Sequence, residues 1–197
     1  MIAVNSYTDE TLRPLVADKL AEDPNFMPQL LAKELGVPMR SIIEALPDLM
    51  RSHAPGSAFI AIWESMAKWE KVTFMAETPG AILEITCRLP KGKSGHGMYN
   101  LMDKTNPLCG HLLLAHIDSI WFVSKQLFGL ESHSVQFFDT QGHQCFSVYL
   151  GRDEKRQIIP SVKEGFAALK AEYSCTCSCK NGVDCKESAA LKKGESI

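Results

Sequence analysis

From residue 71 to residue 150 the chain reads as one β-rich segment after another, and that run limits the folds open to it. Val72-Thr73-Phe74-Met75 is rich in strand formers, Thr78-Pro79-Gly80 is a turn, and residues 81–87 read as the return strand, which predicts a hairpin. Residues 96–102 predict a short strand, preceded by a basic loop over 89–94 and followed by a turn over 103–107. Residues 110–115 and 117–127 predict two more strands, the second alternating Ile117, Ser119, Trp121 and Val123. Residues 134–139 and 144–150 predict a hairpin about Thr140-Gln141-Gly142. Five to eight antiparallel strands in series make a large meandering sheet.

Helical periods bracket that run. Leu12, Leu15, Val16 and Leu20 share one face of a predicted helix over 11–22, followed by short helices over 28–35 and 38–46. Pro55-Gly56 marks residues 52–57 as a linker. Phe59, Ile62, Trp63, Met66 and Trp69 then fall on a helical period, as do Val162, Phe166 and Leu169 over 161–173. Helices, then strands, then a helix give an α+β chain. Three parts are expected: a helical segment 1–51, an antiparallel-sheet domain 52–172, and a cysteine-containing tail 173–197.

Residues 31–46, LAKELGVPMRSIIEAL, have the turn glycine and apolar spacing of a helix-turn-helix. Its second helix carries Arg40 beside Glu44 and Asp48, which leaves few donors for phosphates or base edges. A net charge of −2 and a pI near 6.3 also argue against a nucleic-acid partner held by broad charge attraction. A structural or dimer-associated helical unit fits better than a DNA-binding regulator. No apolar run reaches membrane-spanning length, and residues 1–10 lack the basic start and apolar core of a signal peptide. The expected location is therefore the cytoplasm, with no membrane insertion.

Residues 95–111 concentrate ligating side chains. His96, Met98, Tyr99, Cys109 and His111 lie among glycines that let backbone approach a flat ligand. Tyrosinate suits ferric iron, and imidazole suits either oxidation state. Tyr99, His96 and His111 are the candidate donors for a metal in this stretch. Positions 96 and 99 face opposite sides of a strand, unless His96 belongs to a preceding turn. Met98 reads as core, and His116, His133 and His143 as surface or turn residues. Cys109 and His111 share a strand face, but nothing completes a nucleophile–base set. Arg152, in Gly151-Arg152-Asp153-Glu154-Lys155-Arg156, is either part of a solvated turn or a two-pronged partner for a carboxylate.

The segments GHGMYNL (95–101), PLCGHL (107–112), SVQFFDTQGHQCFSVYLGRDEKR (134–156) and KVTFMAETPGAILEI (71–85) resemble the ChuX/HutX family of haem-utilisation carriers. The resemblance spans roughly residues 10–172. It implies a fold like half of the HemS/ChuS-type haem proteins, haem as the transported ligand, a homodimer, and a haem-degrading enzyme as the acceptor. A related haem-degrading activity is the alternative. Some members of the family have a histidine where this chain has Glu77, which weakens a bis-histidine scheme and makes Tyr99 the first expectation for the haem-iron ligand, with His96 or His111 as its partner or as a supporting donor. The tail stands apart: Cys175, Cys177, Cys179 and Cys185 have the donor set for a soft metal such as zinc or copper(I), and the flanking sequence is equally that of a polar extension.

Overall fold

A computed structural model describes residues 7–173. The expected α+β order is present: three helices, α1 (Asp9–Glu22), α2 (Pro28–Leu35) and α3 (Met39–Ala45), precede strand β1 (Arg51–Pro55) and helix α4 (Phe59–Met66). Eight strands follow: β2 (Val72–Thr78), β3 (Ala81–Cys87), β4 (Lys93–Gly95), β5 (Met98–Leu101), β6 (Gly110–Leu113), β7 (Ser119–Ser124), β8 (His133–Phe138) and β9 (Gln144–Leu150). Helix α5 (Pro160–Glu172) closes the described chain.

The strands divide between two sheets instead of forming one meander. Six pair in the order β1-β7-β8-β9-β2-β3, and β4-β5-β6 form a small separate sheet. The chain leaves the large sheet after β3, builds the small one, and returns at β7. β9 then closes against β2, with Val72 opposite Leu150 and Phe74 opposite Val148. Residues 52–57, expected as a linker, run through β1, which pairs with β7 from Arg51↔Val123 to Pro55↔Ser119. A proline at the end of an edge strand costs the ladder nothing, so Pro55-Gly56 resembles a linker in sequence without being one.

One face of the large sheet carries Val72, Phe74, Phe122, Phe137, Phe146 and Val148. These pack beneath Phe59, Ile62, Trp63 and Met66 of α4 and Val162, Phe166 and Leu169 of α5. The other face carries Trp121, Val123 and Phe138 against Leu12, Val16, Ile42 and Ile43 of the N-terminal helices. β7 is therefore buried on both faces from Ser119 to Val123. Arg40 fastens α3 to the sheet: its guanidinium lies 2.8 Å from the Asp118 carboxylate and 3.5 Å from Glu44, and donates to the Asp139 carbonyl. The residue that a DNA-reading helix would need is spent on an internal contact. The tail cysteines Cys175, Cys177, Cys179 and Cys185 lie outside the described residues.

Candidate functional site

The small sheet holds most of the ligating side chains singled out in the sequence. β4 and β5 join through His96 and Gly97, with φ of 54° and 74°. Two central residues with positive φ make the tight turn whose twist matches the flanking strands. His96 thus sits exposed at a hairpin tip, and the strand expected from 96 begins at Met98.

Strand alternation gives the small sheet two unlike faces. Tyr99 and Leu101 point inward and are 1% and 2% exposed. The Tyr99 ring meets Phe59 at 5.5 Å and Trp63 at 6.2 Å, both edge-on. Its hydroxyl accepts the Gly92 N–H at 3.0 Å, and a side chain at Gly92 would collide with the ring. Nearby, the Trp63 indole donates to the Pro90 carbonyl at 2.9 Å. Tyr99 therefore anchors the small sheet and the loop before it to the core. Ligation of iron by the Tyr99 phenol would require withdrawing the ring from the aromatic cluster.

The outer face carries Lys93, Met98, Asn100, His111 and Leu113. Met98, expected as core, is half-buried here. His111 lies opposite Asn100, with Nδ1 2.6 Å from Oδ1. The amide of Asn100 donates through Nδ2 to the carbonyls of Lys93 at 3.0 Å and Gly95 at 3.3 Å. Two carbonyl acceptors can be served only by the NH₂ end, so the oxygen must face His111. His111 then carries its proton on Nδ1 and keeps a lone pair on Nε2. A ring fixed by a hydrogen bond at one nitrogen, with the other nitrogen open, is the state in which imidazole ligates a metal. Sequence reasoning missed Asn100, since an amide is not itself a typical iron ligand; its signal was the cross-strand position opposite a histidine.

Arg152 belongs to another part of the molecule. Its guanidinium donates to the carbonyls of Arg156 at 3.0 Å and Glu131 at 2.6 Å, clasping the loop after β9 to the loop before β8. The structure also assembles a row absent from the sequence reading. His133 lies 2.9 Å from both Ser124 Oγ and Glu131 Oε1, with Lys163 2.7 Å from Glu131. Lys170 reaches Ser124 at 3.3 Å and the Leu49 carbonyl at 3.1 Å. This row ties α5 to the ends of β7 and β8.

On the opposite face of the large sheet, beside the start of α2, lies a groove of about 210 Å³. Met27, Met75, Glu77 and Phe128 border it, and Gln136 and Tyr149 lie on its sheet side. Burial pushes the Tyr149 phenol above its ordinary pKa. Burial also pulls the Lys125 ammonium down to about 8, against an opposing pull from Asp23. Lys125 donates to the carbonyls of Pro24 and Gln126 at 2.9 and 3.1 Å and sits 4.4 Å from the Phe26 ring centre. Glu77 is a carboxylate at the end of β2.

The fold is α+β, with helices on both faces of the large sheet and a small sheet that presents a hydrogen-bonded imidazole on its outer face. Comparison with known proteins supplies the family: residues 52–169 match the model for haem utilisation ChuX/HutX, and the chain belongs to that family. The intracellular heme transport protein HutX of Vibrio cholerae is 40% identical over 166 residues, covering 84% of this chain and 86% of the relative. The solved structure of the heme-binding protein ChuX is 25% identical with a TM-score of 0.73, covering 82% of this chain and 97% of that one. ChuS, an Escherichia coli heme oxygenase, is 21% identical with a TM-score of 0.66. It covers 79% of this chain but only 47% of its own, so this fold is like about half of ChuS.

Proposed function

We propose that this protein is a haem carrier that binds imported haem reversibly through His111 and hands it to a haem-degrading acceptor in the cytoplasm. Family membership and the printed roles of HutX and ChuX support haem as the cargo. The observation that carries the ligand assignment is the Asn100–His111 hydrogen bond, which leaves Nε2 available at an exposed position. His111 replaces Tyr99 as the iron ligand in this reading, with His96 at the neighbouring hairpin tip as a secondary donor. A single exposed imidazole on an open face suits a protein that must release its cargo. The Met98 and Leu113 side chains offer apolar support to the porphyrin beside it.

A homodimer extends this reading, and one observation favours it. The groove has no histidine among its described lining residues, whereas the outer face of the small sheet carries His111. In this reading each surface supplies one side of the haem site, the groove on the helix-covered face and His111 on the small sheet. A second copy would bring His111 of the partner subunit over the groove and enclose more of the porphyrin.

The test is a haemin titration followed in the Soret region, with the wild type and His111→Ala. One saturable haem per chain, lost or strongly weakened by the substitution, is the expected result. Rapid passage of the bound haem to apomyoglobin would establish reversible release. Absence of saturable binding by the wild type would end the carrier reading.

A further inference from the structure

The outer face of the small sheet is organised in two rows. Lys93, Asn100 and His111 lie side by side across β4, β5 and β6, paired Lys93↔Asn100 and Asn100↔His111. Gly95, Met98 and Leu113 form the adjacent row, paired in the same order. Paired residues of antiparallel strands point to the same face, so Lys93 projects on the side that His111 occupies. Two strand spacings place their Cα atoms about 10 Å apart.

The rows differ in chemistry. The Gly95 position lacks a side chain, and an added Cβ would meet only the Asn100 amide, at 3.6 Å, so the surface there is low. Met98 is half-buried and Leu113 is 51% exposed, so apolar surface faces outward. The other row ends in the ammonium of Lys93, which is exposed and makes no ion pair among the described residues. An apolar strip beside a polar strip with a cation at one end matches an amphipathic planar ligand that carries carboxylates on one edge. Arg152, for which a carboxylate partner was one of two readings, is occupied by two backbone carbonyls elsewhere.

We propose that Lys93 recognises the propionate edge of haem held by His111, orienting the porphyrin over the Met98–Leu113 row. This rests on the haem-carrier reading and deepens it: Lys93 discriminates the free dicarboxylate porphyrin from neutral analogues. The contact is an exposed ion pair to a flexible side chain, so its contribution is modest and sensitive to salt.

The experiment compares haemin with haemin dimethyl ester, in dilute detergent, for the wild type, Lys93→Gln, Lys93→Arg and His111→Ala. For haemin, Lys93→Gln is expected to raise Kd by about threefold to fivefold, the range of an exposed charge pair. The ester is expected to bind the wild type and Lys93→Gln equally, and Lys93→Arg to keep the preference for haemin. An equal effect of Lys93→Gln on both ligands, or no effect on either, would overturn the assignment of Lys93. Undiminished binding of both ligands by His111→Ala would instead overturn the ligand on which the proposal rests.

Discussion

Asn100 and His111 face each other across β5 and β6 with 2.6 Å between Oδ1 and Nδ1, and the amide's two other bonds decide the tautomer of the imidazole. Asn100→Leu removes the acceptor while keeping similar bulk. His111 then samples both tautomers and several ring orientations. Loss of an orienting partner of this kind weakens metal ligation by about tenfold or more. Haemin titration should show that weakening, whereas circular dichroism should show an unchanged fold.

Tyr99 gives the opposite pattern. Tyr99→Phe keeps the ring in the aromatic cluster but leaves the Gly92 N–H without its acceptor, at a cost of about 1 kcal/mol. Urea unfolding should register that loss, while the Soret spectrum of the haem complex stays that of the wild type. Gly92→Ala should cost more, about 2 kcal/mol, because the new methyl group meets the ring and must displace it.

These two residues show where sequence reading succeeds and where it stops. The motif was found by its side-chain types, and types do not report facing. Tyr99 has the chemistry of a ligand, but its strand position puts it inside; His111 has the same credentials and faces out. The periodicity of Phe59, Ile62, Trp63 and Met66 predicted α4 because a helix face writes itself into local spacing. The pairing of β9 with β2 leaves no local trace, since the two strands are some seventy residues apart and nothing in either names its neighbour. His133, read as a surface or turn residue, starts β8 instead, and its partners Ser124 and Glu131 were not singled out for a related reason: the β7–β8 connection brings the three together.

Lys125 introduces a pH dependence. Its folded-state value of about 8 lies below the ordinary 10.5, so between these the unfolded chain holds more of this proton than the folded one. Stability attributable to Lys125 therefore rises as pH climbs through that window. Lys125→Met keeps the stem against Phe26 and abolishes the slope. Thermal melts of both proteins at the two ends of the window should show the Tm of the wild type gaining on that of the variant toward high pH.

The three described cysteines should separate by reactivity. Burial, with a contribution from Asp139, pushes the Cys145 thiol up to about 11, and burial also raises Cys87. Cys109 is exposed. Because the thiolate is the nucleophile, iodoacetamide near neutral pH should modify Cys109 well before Cys145. Peptide mapping over a time course provides the measurement.

Burial of β7 on both faces has a consequence for any attempt to isolate the family-matched region. A fragment starting at residue 52 would discard α1–α3 and with them the cover over Trp121, Val123 and Phe138. Three large apolar side chains would become a sticky plate on an otherwise finished sheet, next to an edge strand shortened by the loss of Arg51. Such a fragment is expected to collect in inclusion bodies, whereas a chain retaining the helices is not. The helical preface thus keeps the face of the sheet that carries Trp121, Val123 and Phe138 from water, and solubility of the sheet depends on it.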